Sequence, residues 1–235
     1  MNIEQLIAID KELLLKLNGS DSLFWDGFMW VATSTYIWIP TALMLLYIIF
    51  KNNSIKQAIL ITIMIGLAIT LADQISSSLF KPMFQRWRPT RDPEIMYLID
   101  TVNNYRGGRY GFISSHAANT FAVMVFVSLL IKRYSVFFIL LFWALLCSYS
   151  RIYLGVHYPG DILGGMINGI LCGLLVYWLY TKINNKYFYK YVPTTTKYTK
   201  GGYLINDLNL LYTTFILTIF IIIIIGMINI KLLFI

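Results

Sequence analysis

Charge is scarce in this chain. Only 13% of its 235 residues are Asp, Glu, Lys or Arg, where an ordinary soluble domain carries about 25%. With 58% hydrophobic residues and a mean hydropathy of +0.66, that shortage excludes a soluble fold and points to a protein dissolved in a bilayer. Cysteine is nearly absent as well. Cys147 and Cys172 both fall in apolar runs, where they serve as small packing residues and give little support to a disulfide or metal site. No carboxylate cluster with metal-ligand spacing is present, so neither a metal nor another cofactor is expected. The start of the chain lacks the basic residues and the small-residue cleavage site of a signal peptide, and it is expected to be retained.

What is present is mostly apolar helix. Net charge is +8, from 19 Lys plus Arg against 11 Asp plus Glu. These basic residues mostly flank apolar runs, so they read as topology signals, and the partner expected is the bilayer, not nucleic acid. Residues 1–20 form an amphipathic interfacial helix, with Leu6, Ile7, Leu13, Leu14 and Leu17 interleaved among Glu4, Asp10, Lys11, Glu12 and Lys16, ended by Asn18-Gly19. Membrane spans are expected at about 24–50, 55–80, 116–131, 134–149 and 162–180, the second of them long enough to cross about 30 Å of hydrocarbon. Residues 24–180 form the main membrane domain. The Lys- and Tyr-rich segment 181–207 is an interfacial loop, and 208–235 adds a C-terminal span containing five consecutive isoleucines. The fold class is therefore all-α: an integral-membrane bundle of about six transmembrane helices preceded by an amphipathic helix. Gly165, Gly169 and Gly173 recur every fourth residue in the fifth span, a face that lets another helix approach closely.

Following the chain through these spans gathers its polar residues. The second span leaves the membrane at Lys81, the third re-enters near His116, the fourth returns at Arg151 and the fifth departs at Asp161. Lys81, Arg88, Ser114, His116, Arg151, His157 and Asp161 all lie at one membrane surface. The other surface carries Lys51, Lys56, Lys132, Arg133, Lys182, Lys186, Lys190, Lys197 and Lys200. The positive-inside rule makes that lysine-rich face cytoplasmic and turns the polar cluster toward the periplasm or exterior. Pro159-Gly160 breaks any helix after His157, so a new helix starts near Asp161, whose carboxylate faces the positive end of the helix dipole and can reach back to the imidazole.

Three permanent cations, two histidines, one carboxylate and serines beside a helix start suit a tetrahedral phosphate. Lys and Arg neutralise its oxygens, and the peptide N–H groups around Ser115 and His116 add donors. One histidine can attack phosphorus while the other protonates the leaving alkoxide. The residues resemble the type 2 phosphatidic acid phosphatase superfamily, relatives of the vanadium haloperoxidases. The resemblance rests on three blocks: Lys81 with Arg88-Pro89 after six residues, Ile113-Ser114-Ser115-His116, and Ser150-Arg151 followed by His157 and Asp161. It implies that His157 is a nucleophile forming a phosphohistidine, that Asp161 orients it, and that His116 is the acid for the leaving group and later the base for water. It also implies that Lys81, Arg88, Ser114 and Arg151 hold the phosphate, with the Ser115 backbone beside them, and that no metal is used.

The middle block departs from the usual Pro-Ser-Gly-His, with Ile113 for proline and Ser115 for glycine. Activity is expected to survive, with altered access to the phosphate. By resemblance the substrate is a membrane lipid phosphate or diphosphate: lipid A phosphate, undecaprenyl diphosphate or a phosphatidate-like lipid. The residues choose neither the headgroup nor an oligomeric state. The competing class is a lipid- or anion-binding transporter using the same cage without hydrolysis, and it does not need two histidines. Plainer uses exist for single residues: Lys81, Arg88 and Arg151 as interfacial anchors, Ser114 as a helix cap, Trp87 as an interface anchor. Asp73 fits either a functional role or a bond between helices. Arg106 and Arg109 fit either a second phosphate or sugar headgroup, or a solvated loop.

Overall fold

A computed structural model describes residues 2–188 and 195–232. The chain begins with α1 (Ile3–Leu17) and α2 (Leu23–Ala32), followed by α3 (Ile39–Asn52) and α4 (Ile55–Gln74). A π-helical stretch, Ile75–Phe80, joins α4 to the short α5 (Lys81–Phe84). The remaining helices are α6 (Ser115–Ile131), α7 (Tyr134–Tyr153), α8 (Pro159–Tyr187) and α9 (Ile205–Leu232). Five helical stretches are long and apolar enough to cross a bilayer. The 17 residues of α6 reach the lower end of the spanning range of about 17–25 residues.

α6 is the central spine. Ala117, Phe121, Met124, Phe126, Val127 and Leu130 bury its whole circumference, so it has no single apolar stripe. It packs against α4, α7 and α8. The tightest approach is to α8, where an added Cβ would stand 2.4 Å from the Ser114 carbonyl at Gly165, 2.3 Å from Ala118 at Gly169 and 2.8 Å from Ala122 at Gly173. The four-residue glycine spacing is thus a helix-packing face, and it draws the starts of α6 and α8 together.

Several expected boundaries differ, two of them with a clear local cause. The first span is not one helix over 24–50. α2 ends at Ala32, a short 3-10 turn occupies Thr35–Trp38, and only then does α3 begin. The break follows from local chemistry: Trp38 Nε1 donates to the freed Ala32 carbonyl at 2.9 Å, and Pro40 sits in the first turn of α3, where its missing N–H costs no bond. The fifth helix also continues past residue 180 to Tyr187, through residues expected to be loop, because Tyr180 is buried in the main core and Ile183 packs against it. Lys190 lies outside the described residues.

α1 reverses the usual arrangement of an amphipathic helix. Ile3, Leu6, Ile7, Leu13 and Leu17 are exposed, whereas Leu14 is fully buried, and Asp10 and Lys11 turn toward the protein. Its exposed apolar side chains are left for lipid, Asp10 and Lys11 face the bundle, and Glu12 and Lys16 pair with each other in the open. Asp73, left open between two roles, accepts from Asn119 Nδ2 of α6 at 3.4 Å and so bonds between helices.

Candidate active site

The centre is built where α7 ends and α8 begins. Gly155 takes a left-handed conformation, φ +67, that side chains disfavour. The chain doubles back there, so the Val156 and His157 N–H groups both donate to the Arg151 carbonyl, at 3.1 and 3.3 Å. Tyr158 is the N-cap of α8 and Pro159 its first residue, two residues earlier than the start expected near Asp161. Asp161 therefore falls in the first turn. Its Oδ2 accepts the Tyr158 N–H at 3.1 Å and meets His157 Nδ1 at 3.2 Å. Both side chains are buried, Asp161 completely.

With Nδ1–H donating to the carboxylate, Nε2 of His157 keeps its lone pair, and Arg88 Nη1 stands 3.2 Å from it. Burial, then the charges of Arg88, Arg151 and Lys81, hold this imidazole well below the usual histidine range. It is a neutral base at neutral pH. Arg88 is itself fixed by the Tyr110 carbonyl at 3.1 Å and the Val156 carbonyl at 3.2 Å. Burial and the neighbouring Arg151 lower it to about 10, so it stays cationic. The π-helical stretch before Lys81, a feature frequent at functional sites, ends where Lys81 Nζ donates to Ser115 Oγ at 2.7 Å. The hydroxyl that replaces the usual glycine therefore anchors Lys81. Ile113, in place of proline, packs into the notch at Gly164.

Ser114 caps α6, its Oγ accepting from Ala117 at 3.5 Å, while its own N–H donates to the Asp161 carbonyl at 3.0 Å. Arg151 donates from Nη1 to Thr33 Oγ1 at 2.8 Å and from Nη2 to the Tyr105 hydroxyl at 3.3 Å, and its buried Nε has no hydrogen-bond partner among the described residues. His116 makes no side-chain hydrogen bond among the described residues, but it acts electrostatically on His157 and feels Arg151, Arg88 and Lys81. The expected residues are thus brought together, with His116 joined by proximity of charge alone. Among the described residues no three His, Cys, Asp or Glu side chains cluster as metal ligands.

Sequence reasoning missed several members. Arg86 Nη1 binds Asp161 Oδ1 at 3.0 Å, and its Nη2 binds Asp10 Oδ2 at 2.7 Å. Asp10 also accepts the Gly160 N–H at 2.7 Å, satisfying one of the free donors at the start of α8. Arg86 stacks 4.0 Å above the Tyr158 ring, whose hydroxyl donates to Asp92 at 2.7 Å, and Lys11 pairs with Asp92 at 3.1 Å. The carboxylate beneath His157 is therefore tied, through one arginine, to the interfacial helix α1. Gly111 passes so close that a Cβ would stand 2.8 Å from Asp161 Oδ2. Arg86 lay inside the first motif and was readable as an extra cation. Asp10, Thr33 and Tyr105 gave no local signal, since only the fold brings them in.

An α-helical membrane bundle with this centre is a phosphoryl-transfer enzyme of the membrane, and comparison with known proteins narrows the class. The model of the PAP2 superfamily matches residues 62–185, and the chain belongs to that superfamily. It is 45% identical over 184 residues to a lipid A 4'-phosphatase of Bacteroides thetaiotaomicron, covering 77% of this chain and 81% of that protein. It is 35% identical over 180 residues to a lipid A 4'-phosphatase of Porphyromonas gingivalis, covering 76% and 75%. The crystal structure of Aquifex aeolicus LpxE superposes with a TM-score of 0.55 at 27% identity, covering 70% of this chain and 92% of that one.

The link to α1 has a measurable consequence. Asp10→Asn leaves Asp161 as the one carboxylate paired with Arg86 among the described residues, and kcat is expected to fall about tenfold with KM and melting temperature nearly unchanged. Arg86→Gln should lose roughly 10²-fold, the scale on which misplacement of a catalytic group acts. Full activity in both variants, measured by phosphate release, would show that the chain from α1 to Asp161 has no part in positioning.

Proposed function

We propose that the protein hydrolyses a phosphate or diphosphate group on a membrane lipid, with His157 as nucleophile. The observation that carries this reading is the setting of His157: Nδ1 stands 3.2 Å from a fully buried carboxylate, Arg88 Nη1 stands 3.2 Å from Nε2, and the charges of Arg151 and Lys81 also act on the ring. Nε2 attacks phosphorus and forms the N–P bond as the P–O bond to the lipid breaks. His116, protonated once the negative phosphate offsets the cationic cage, gives that proton to the leaving oxygen. Water then attacks phosphorus, His116 takes the proton, and the N–P bond breaks to release inorganic phosphate.

Lys81, Arg88, Arg151 and the groups around Ser114 and Ser115 neutralise the phosphoryl oxygens, whose charge is what the site must stabilise in the transition state. The unpartnered Nε of Arg151 supplies a donor of the kind a phosphate oxygen accepts, since buried polar atoms are normally bonded. The names of the relatives favour lipid A phosphate among the candidate substrates. Purified wild-type protein should release phosphate from at least one of lipid A, undecaprenyl diphosphate and phosphatidate. His157→Ala should lose on the order of 10³-fold or more in kcat, as removal of a nucleophile does. Equal rates in the two proteins would refute the role of His157, and no release from any lipid would favour a binding or transport protein.

We also propose that the site faces the periplasm or exterior. Lys56, Lys132, Arg133, Lys182 and Lys186 flank the opposite ends of the spans, so the positive-inside rule supports this placement. A single cysteine at Asn103, in the loop on the site side, should react with an impermeant maleimide once the outer membrane is opened. Reaction only after the inner membrane is breached would reverse the orientation.

A further inference from the structure

Beside the cage, the loop between α5 and α6 forms a second cationic feature. Arg91, Arg106 and Arg109, with Trp87, Thr90 and Met96, line an open groove of about 460 Å³. Outside the cage, whose Lys81, Arg88 and Arg151 are braced by neutral groups, Lys11 and Arg86 on this face have carboxylate partners: Lys11 holds Asp92 and Glu94, and Arg86 holds Asp10 and Asp161. Arg91, Arg106 and Arg109 pair with no carboxylate among the described residues. All three are exposed, yet two are held in place. The Arg109 guanidinium lies 4.7 Å over the Trp87 ring, and Arg91 donates from Nη2 to the Gly107 carbonyl at 3.2 Å. Thr90 Oγ1 ties down the backbone of Arg106, the third arginine, by donating to its carbonyl at 2.8 Å.

This groove shares its frame with the phosphate cage. The Arg88 N–H donates to the Arg109 carbonyl at 3.2 Å, and the Arg91 N–H donates to the Arg88 carbonyl at 2.8 Å. Gly107, whose carbonyl holds Arg91, packs directly on Arg88: a Cβ there would lie 3.0 Å from Nη1. The backbone that aims Arg88 at His157 thus also sets the spacing between the cage and the groove. Guanidinium groups left with free donors on a rigid frame match oxyanions such as phosphate, which they bind two oxygens at a time.

We propose that the groove binds a second anionic group of the lipid whose phosphate enters the cage. The substrate class is then a lipid carrying two separated anionic groups, the second of them a phosphate. This rests on the phosphatase reading and adds the selectivity that the cage alone lacks, because a cage around one phosphate cannot tell which lipid bears it.

The test compares lipid A carrying phosphates at both ends of its disaccharide with the form carrying one, in micelles of neutral detergent. It uses the wild-type protein and the triple variant Arg91→Gln, Arg106→Gln, Arg109→Gln. Wild type should show a KM about tenfold lower for the two-phosphate lipid, and the triple variant should erase that preference while kcat stays unchanged on both. An equal rise in KM for both lipids would make the groove a general attractant for headgroups and overturn the proposal, as would no change. Stimulation of one-phosphate hydrolysis by inorganic phosphate, lost in the variant, would assign the groove to free anions and also count against it. Affinity measured on His157→Ala protein separates this proposal from the phosphatase reading. About tenfold tighter binding of the two-phosphate lipid, abolished by the triple substitution, supports the groove even if neither lipid is hydrolysed, and equal binding refutes it.

Discussion

Asp161 is a carboxylate with no exposed surface, and most of the active face is arranged around holding it there. A buried charge is tolerated only where partners replace the water it lost. Asp161 has a backbone N–H from Tyr158, the imidazole of His157 and the guanidinium of Arg86, while its carbonyl takes the Ser114 N–H at 3.0 Å. These partners come from three different parts of the chain. The α7–α8 turn supplies His157, the loop after α5 supplies Arg86, and the cap of α6 supplies Ser114. The glycine face between α6 and α8 is what permits this meeting, because backbone contact at Gly165 sets the two helix starts side by side.

The cations answer a different demand. Lys81, Arg88 and Arg151 stand close enough to act on one another and on both histidines, an arrangement that repels itself until an anion joins it. Their side chains are therefore braced by neutral groups: a serine hydroxyl for Lys81, backbone carbonyls for Arg88, and Thr33 and Tyr105 for Arg151. Neutral bracing fixes geometry without cancelling charge, so the cations keep their attraction for an anion. Burial and the same cations hold His157 unprotonated, the form that the proposed attack requires.

The span count and the convergence of Lys81, Arg88, His116, Arg151, His157 and Asp161 were legible from hydrophobicity and spacing, because a bilayer forces each apolar run to cross and so fixes which loops share a face. The break after Ala32 was not legible from apolar content alone. Its only markers are the polar run Thr33-Ser34-Thr35 and Pro40, and the break places Thr33 against Arg151. The part played by α1 was also hidden, since an amphipathic pattern shows which face meets lipid but not that Asp10 on the other face reaches Arg86. Contacts of that kind join residues far apart in the chain, and no local pattern encodes them.

The central claim is that phosphate passes through His157. The direct measurement is to mix purified protein with lipid substrate labelled at phosphorus, denature it in alkali within milliseconds, and map the label to peptides. The account predicts acid-labile, alkali-stable label on the peptide containing His157, lost in His157→Ala. Phosphate release without any labelled protein, or label on a different residue, would contradict it.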